Sequence, residues 1–190
     1  MKLIFATWNQ WKLKEVRKHI SPEIELIWKS VDLDEFQTDD LLAISKYKAI
    51  QAFQLVNAPV VVDDTAIYFD AYKNFPGVFA KYMIKSLWAS GFQRLFYDVE
   101  DTNGRFETVL SYMDETLKEP LSFVGRAEWK FDFDKISDGK HYNLPYNYIF
   151  IPNEMTTSVA EDYDTWLSNY SHRMKATLKL NNYLIKKLSK

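Results

Sequence analysis

Three short polar clusters carry residue types suited to chemistry on an anion. The first is Thr7-Trp8-Asn9-Gln10-Trp11-Lys12, which follows an apolar run and precedes a helical pattern. At such a strand-to-helix junction, unpaired helix N–H groups, a hydroxyl, an amide and an ammonium can all face one phosphate. The Gly-rich spacing of a P-loop is absent. An ordinary N-cap at Asn9 followed by a surface lysine accounts for the same residues. The second cluster is acidic, with Glu35 in a polar stretch and Asp63-Asp64 at the end of an apolar run. Hard cations such as Mg²⁺ take oxygen ligands and retain waters, so two carboxylates plus substrate phosphates make a workable site. Strand neighbours point to opposite faces, so this pattern sends one of Asp63 and Asp64 into a site. Solvated loop acids or helix caps are the competing explanation. The third cluster is Ser171-His172-Arg173, preceded by Asn169. Its hydroxyl, imidazole and guanidinium beside a helix start again suit an anion, and equally suit an N-cap serine followed by helix-surface residues. A serine hydrolase is a poor fit, because adjacent Ser and His do not form a nucleophile and base, and no G-x-S-x-G elbow exists.

The elements that must hold these clusters follow from periodicity. Leu3 to Ala6 reads as a buried strand, with a helix from Asn9 built on Leu13, Val16 and Ile20 and stopped by Ser21-Pro22. Glu25 to Val31 predicts a second strand and Asp39 to Val56 a second helix. Pro59 to Val62 reads as a buried strand, since β-branched residues run together without polar alternation, and its pattern ends at Asp63-Asp64-Thr65. Phe75-Pro76-Gly77 predicts a turn, and Val78 to Tyr97 a helix. Phe106 to Met113, Leu121 to Phe133 and Tyr146 to Ile151 read as strands. The last helix is expected from about Ser171 to Leu188, on Met174, Leu178, Leu180, Leu184 and Leu188. Strands alternating with helices, followed by a strand-rich stretch, predict an α/β fold with a mixed sheet.

Composition bounds the function. At 190 residues, with 47% hydrophobic and 26% charged, the chain suffices for one well-buried domain spanning residues 1–190 and excludes a wholly disordered protein. A net charge of -2, with basic residues scattered among acids, excludes a broad basic face, so no nucleic-acid partner is expected. No cysteine means no thiolate metal site and no thiol nucleophile. The first residues lack the pattern of a secretory leader, and no apolar run is long enough to span a bilayer, so a cytoplasmic protein without a membrane partner is expected. Aromatic residues are abundant at 16%. Most should be core, while Trp8, Trp11, Tyr146, Tyr148 and Trp166 lie close enough to the polar clusters for a ring to stack on a nucleobase.

Taken in order, the pieces resemble the inosine triphosphate pyrophosphatase, or Ham1-like, family. The resemblance rests on Ile4-Phe5-Ala6-Thr7-x-Asn9-x-x-Lys12-Leu13-x-Glu15, Asp32-Leu33-x-Glu35, Lys48-Ala49, and Pro59-Val60-Val61-Val62-Asp63-Asp64-Thr65. It continues through Phe75-Pro76-Gly77-Val78, Phe123-x-Gly125, Ala160-Glu161, and Ser171-His172-Arg173 with Ala176. The resemblance implies a two-lobed α/β fold with a long curved mixed sheet, helices on its flanks and a central cleft. It also implies a homodimer and Mg²⁺-dependent hydrolysis of a nucleoside triphosphate, such as inosine or xanthosine triphosphate, to monophosphate and pyrophosphate. By position, Thr7, Asn9 and Lys12 would hold phosphates, and Glu35 and Asp64 would stand near the metal. Asp64 would also activate water, with Lys12 sharing the catalytic role. Lys48 and Thr65 would join the substrate-binding set, as would Tyr146 and Asn147, while Ser171, His172 and Arg173 would contact base and phosphate.

Departures from the family pattern fall in two places. Trp8 stands where the family usually has glycine, and Trp11 where it has a small or basic residue. The base-reading Gly-Tyr/Trp-Asp-Pro segment reads Pro145-Tyr146-Asn147-Tyr148, and an ungapped count places Leu167 and Ser168 where a lysine and an asparagine are usual. Losing an acid and a lysine together removes hydrogen bonds that reject an ordinary base, which predicts an altered base pocket. Two other readings use the same residues: a nucleotide-binding protein without catalysis, and a nucleoside monophosphate glycosidic-bond hydrolase on the same fold.

Overall fold

The apolar run that opens the chain becomes the middle of a parallel three-strand set. A computed structural model describes residues 1–132, 147 and 149–189. In it β1 (Lys2–Ala6) pairs in parallel with β2 (Glu25–Lys29) on one side and β3 (Val60–Phe69) on the other. The strands β4 (Pro76–Gly77), β5 (Asn103–Met113), β6 (Leu121–Phe131) and β7 (Phe150–Pro152) complete a seven-stranded sheet. Its order is β2-β1-β3-β5-β6-β7, with β4 antiparallel to β3 and β7 antiparallel to β6. The helices are α1 (Gln10–His19), α2 (Leu41–Val56), α3 (Ala80–Leu95), α4 (Tyr163–Asn169) and α5 (His172–Leu188). The fold is therefore α/β, with helices flanking a mixed open sheet, as the alternating pattern predicts.

The chain divides into two compact units. The first comprises Met1–Thr65, Thr108–Arg126 and His172–Lys190. Strand alternation sends its side chains to two separate cores. Leu3, Phe5 and Val61 pack with Leu13 and Val16 of α1 and with Ala176, Leu180 and Leu184 of α5. Ala6, Val60 and Val62 pack instead with Ala49 and Ala52 of α2. The second unit, Ala66–Glu107 and Ala127–Ser171, absorbs much of the aromatic excess. Phe69 meets Phe96, Trp129 and Phe131 at ring separations of 5.0, 5.6 and 4.7 Å. Trp166 is buried in this core and Leu167 packs against it.

Two differences from the sequence expectation matter. β3 does not end at Asp63-Asp64-Thr65 but runs through them to Phe69. The acids stay in a buried strand because cations from distant helices neutralise them, which local sequence does not display. The short helix α4 carries Tyr163, Trp166 and Leu167 at i, i+3 and i+4, all packed in the second unit's core, but seven residues are too short a run for that period to stand out in the sequence. It is started by Asp162, whose side chain accepts from Thr165 N–H at 3.3 Å. The strand expected over Tyr146 to Ile151 is β7, beginning at Phe150, while residues 146 and 148 lie outside those described.

Candidate active site

Because β3 continues through the acids, alternation separates them. Asp63 falls on the side of α1 and α5, and Asp64 on the side of α2. The Asp63 side chain is wholly buried. Its Oδ2 accepts from Arg173 Nε at 2.7 Å, and its Oδ1 pairs with Lys12 Nζ at 2.5 Å. Arg173 is itself bound at all three nitrogens: besides Nε, Nη1 donates to Glu15 Oε2 at 2.6 Å and Nη2 to Thr65 Oγ1 at 2.9 Å. Burial alone would raise the Asp63 carboxyl, but Arg173 and Lys12 overcome it and hold it well below the usual carboxylate range. Burial would likewise strip the charge from Arg173, and Asp63 and Glu15 reverse that.

Local packing sets Arg173 in place. A Cβ on Gly125 of β6 would come within 2.0 Å of the His172 carbonyl oxygen and 2.5 Å of Ala176 N, so the first turn of α5 lies directly on the strand. Arg173 then falls on the stripe that Thr177, Leu180 and Leu184 continue, at i+4, i+7 and i+11. His172 is buried beside it, and burial together with the Arg173 charge keeps the imidazole neutral, well below its ordinary value.

Asp64 is different. Its Oδ1 accepts from Lys48 Nζ at 2.7 Å, while Oδ2 is buried and accepts no hydrogen bond. Burial raises this carboxyl, and Lys48 and Lys12 oppose the shift without cancelling it. Lys48, one helical position before Ala49 in the α2 core, also donates to Glu35 Oε1. Burial would lower the Lys48 ammonium, but Asp64 and then Glu35 raise it. One ammonium thus bridges two carboxylates, the arrangement that a small hard cation also satisfies. Among the described residues no group of three or more His, Cys, Asp or Glu side chains gathers as a metal cage. Asp64 and Glu35 fit a divalent cation that takes its remaining oxygens from water and phosphate.

The loop at residues 7–9 closes the α1 side. Thr7 Oγ1 accepts from Asn9 N–H at 3.1 Å, and Asn9 Oδ1 caps α1 by accepting from Trp11 N–H at 3.0 Å. Lys12 adds a second bond to the Asp63 carbonyl oxygen at 3.0 Å, leaving one of its three ammonium protons for another acceptor. Trp8 and Trp11 are exposed, with Lys14 Nζ 4.5 Å above the Trp11 ring.

The first unit therefore brings Lys12, Thr65 and Arg173 onto Asp63, with His172 next to Arg173, and Glu35 with Lys48 onto Asp64, while Thr7 and Asn9 form the turn that starts α1. Asn147 and Ser171 belong to the second unit, where the Asn147 carbonyl oxygen accepts from Ala160 N–H at 2.9 Å. Tyr146 lies outside the described residues. From the sequence Glu15 had no role, and Asp63 stood only as the alternative to Asp64 in the acidic cluster. Arg173 on an otherwise apolar stripe is the signal that could have found them, since a buried guanidinium requires buried acids.

The family model described as the Ham1 family matches residues 3–183. The chain belongs to the Ham1 family. Similar relatives of this Ham1 protein include the inosine triphosphate pyrophosphatase of Yarrowia lipolytica, 32% identical over 98% of this chain and 97% of the relative. The dITP/XTP pyrophosphatase of Thermococcus kodakarensis is 30% identical over 97% of each chain. A HAM1 protein from Coxiella burnetii shares the fold, with a TM-score of 0.82 at 23% identity over 98% of this Ham1 chain and 99% of that one.

Proposed function

We propose that this Ham1-family chain hydrolyses a nucleoside triphosphate to monophosphate and pyrophosphate, aided by a divalent cation such as Mg²⁺. The observation that carries the proposal is Asp64: a buried carboxyl with one unpartnered oxygen, raised above its ordinary range, next to an ammonium and a second carboxylate. A carboxyl that burial has raised makes a better proton acceptor than a fully solvated one. Asp64 takes a proton from the water that attacks the α-phosphorus. Thr7, Asn9 and Lys12 hold the phosphates at the start of α1, where N–H groups and the ammonium stabilise the charge that develops. When bound, the cation neutralises phosphate oxygens and polarises the reacting phosphorus. Before a cation binds, Lys48 keeps Asp64 and Glu35 close together despite their like charge.

The substrate class is that named for the relatives, inosine, deoxyinosine and xanthosine triphosphates. Base choice in this chain is broader, because Asn147 replaces an acid and Leu167, packed against the second unit's core, supplies no donor. A homodimer in the cytoplasm completes the proposal, supported by kinship. No helix among the described residues is long and apolar enough to cross a membrane.

The test is a panel of ribo- and deoxyribonucleoside triphosphates, including inosine and xanthosine forms, with Mg²⁺ and scored for pyrophosphate. Turnover of inosine or xanthosine triphosphate, with detectable ATP or GTP turnover, is expected. No turnover of any member defeats the proposal, and free base among the products redirects it to glycosidic cleavage.

A further inference from the structure

Glu35 poses a positioning problem that its own contacts do not solve. Its side chain is 61% exposed and sits in the irregular stretch between β2 and α2, and its bond is to Lys48. A divalent cation entering between Glu35 and Asp64 competes with that ammonium for the two carboxylates and repels its charge. Lys48 therefore cannot hold the segment in place for the cation, and the restraint has to come from bonds that spare both carboxylates.

The flanking residues supply such bonds. The Gln51 side-chain amide grips both main-chain groups of Asp34: Oε1 accepts from Asp34 N–H at 3.0 Å, and Nε2 donates to the Asp34 carbonyl oxygen at 2.9 Å. The amide thereby imitates a paired strand residue. On the other side of Glu35, the Phe36 ring meets Tyr47 edge-on at 5.1 Å. Tyr47 and Gln51 are four residues apart on α2, so they share a face, with Lys48 between them in sequence. Three consecutive residues, Asp34, Glu35 and Phe36, are thus bound to one face and edge of α2.

We propose that Gln51 is a positioning residue: through Asp34 it holds Glu35 opposite Asp64, so that the two carboxylates are preorganised for a divalent cation. This rests on the cation-assisted reading above. Gln51 touches neither the cation nor the nucleotide, and its contribution is the ordering of a carboxylate that would otherwise be paid for at binding. Gln51→Met retains length and removes both hydrogen bonds.

The probe is Mn²⁺ alone, titrated into the whole chain without nucleotide and followed by the electron paramagnetic resonance of free Mn²⁺. Gln51→Met should raise the Mn²⁺ Kd about tenfold, in line with two modest hydrogen bonds. In a Glu35→Gln background the same change should add nothing, because Gln51 acts through Glu35. In turnover, the Mg²⁺ concentration for half activation should rise by a similar factor, with kcat at saturating Mg²⁺ within about twofold of the parent. Gln51→Ala repeats the comparison with a second side chain, and circular dichroism verifies folding of each variant. An unchanged Kd in folded Gln51→Met, equal weakening with and without Glu35, or no Mn²⁺ binding by the parent overturns the proposal. A parent that turns over no nucleotide yet shows the Glu35-dependent loss of Mn²⁺ affinity sinks the hydrolase reading and supports the role of Gln51.

Discussion

Asp63 and Asp64 are neighbours on one strand, both buried, yet the protein treats them in opposite ways. On the α1 and α5 side, every charge is answered: Asp63 by Arg173 and Lys12, and Arg173 by Asp63 and Glu15. On the α2 side, Asp64 has one direct ion pair among the described residues, to Lys48, and its other oxygen accepts no hydrogen bond from them. A buried guanidinium and carboxylate paired this fully have little left to offer a ligand and a great deal to lose when one of them is removed. A half-satisfied carboxylate costs stability and retains reactivity, the usual trade at functional sites. The contrast separates a residue that holds the strand and two helices together from one that is available for chemistry.

The sharpest way to break this contrast is to neutralise each acid in turn. Asp63→Asn leaves the buried Arg173, and the partly buried Lys12 beside it, with too little opposing charge, and should cost about 3–5 kcal/mol in denaturant unfolding. A loss below about 1 kcal/mol would mean that the cluster is not holding the fold. Asp64→Asn should lower the rate of pyrophosphate release at least about a hundredfold, roughly 2.7 kcal/mol of transition-state stabilisation. Its Tm should stay within about 4 °C of the parent, because Lys48 keeps Glu35 and an amide still fills the space. Near-normal turnover in Asp64→Asn would remove it from the catalytic role.

The two acids should also bend the pH dependence of stability in opposite directions. Asp63 binds its proton less tightly in the folded than in the unfolded chain, so its contribution is complete above the ordinary value of 3.8 and is lost as pH falls below it. Asp114 adds the same sign: burial would raise it, but bonds from Lys187, Tyr112 and Thr116 hold it down to about 2. Asp64 is raised, so the folded chain binds its proton more tightly, and this contribution to stability falls as pH rises from 3.8 through the folded value. Activity runs the other way, with kcat/KM rising about tenfold per pH unit until Asp64 is ionised, then levelling. Asp64→Asn should abolish the decline in stability on that interval while leaving the acid limb intact. Unfolding free energies from pH 2 to 7 for parent and variant decide it.

The strand alternation that separates these acids was readable in Pro59 to Thr65, as was the start of α1 at Asn9. Hydrophobic periodicity also found α5 and the alternation of strands and helices that opens the chain, because those signals are local. The continuation of β3 was not readable. An Asp-Asp pair looks like a strand end until Arg173, 110 residues away in sequence, is known to lie against it. The grip of Gln51 on Asp34 was hidden for a related reason, since a side chain bonding to main-chain groups leaves no mark in residue type. Lys48 and Glu35 entered through the family resemblance, and their shared contact came only from the coordinates.

A smaller pair of changes sharpens the comparison by matching the energetics on its two sides. Asn9 caps α1 by accepting from Trp11 N–H, and Asp40 caps α2 by accepting from Ala43 N–H, each at 3.0 Å. Both caps are exposed, so replacement by alanine should cost each helix about 1 kcal/mol, measurable as a similar displacement of the denaturant midpoint. Their effects on turnover should differ. Asn9 lies in the loop proposed to hold phosphate, so Asn9→Ala should also raise KM for the nucleotide by about tenfold, the expected loss of a hydrogen bond to a charged group. Asp40→Ala alters only the start of a helix whose functional residue, Lys48, sits two turns further on, and its KM should match the parent's. If both variants raise KM equally, helix stability rather than phosphate contact explains the effect of Asn9, and the α1 loop loses its place in the site.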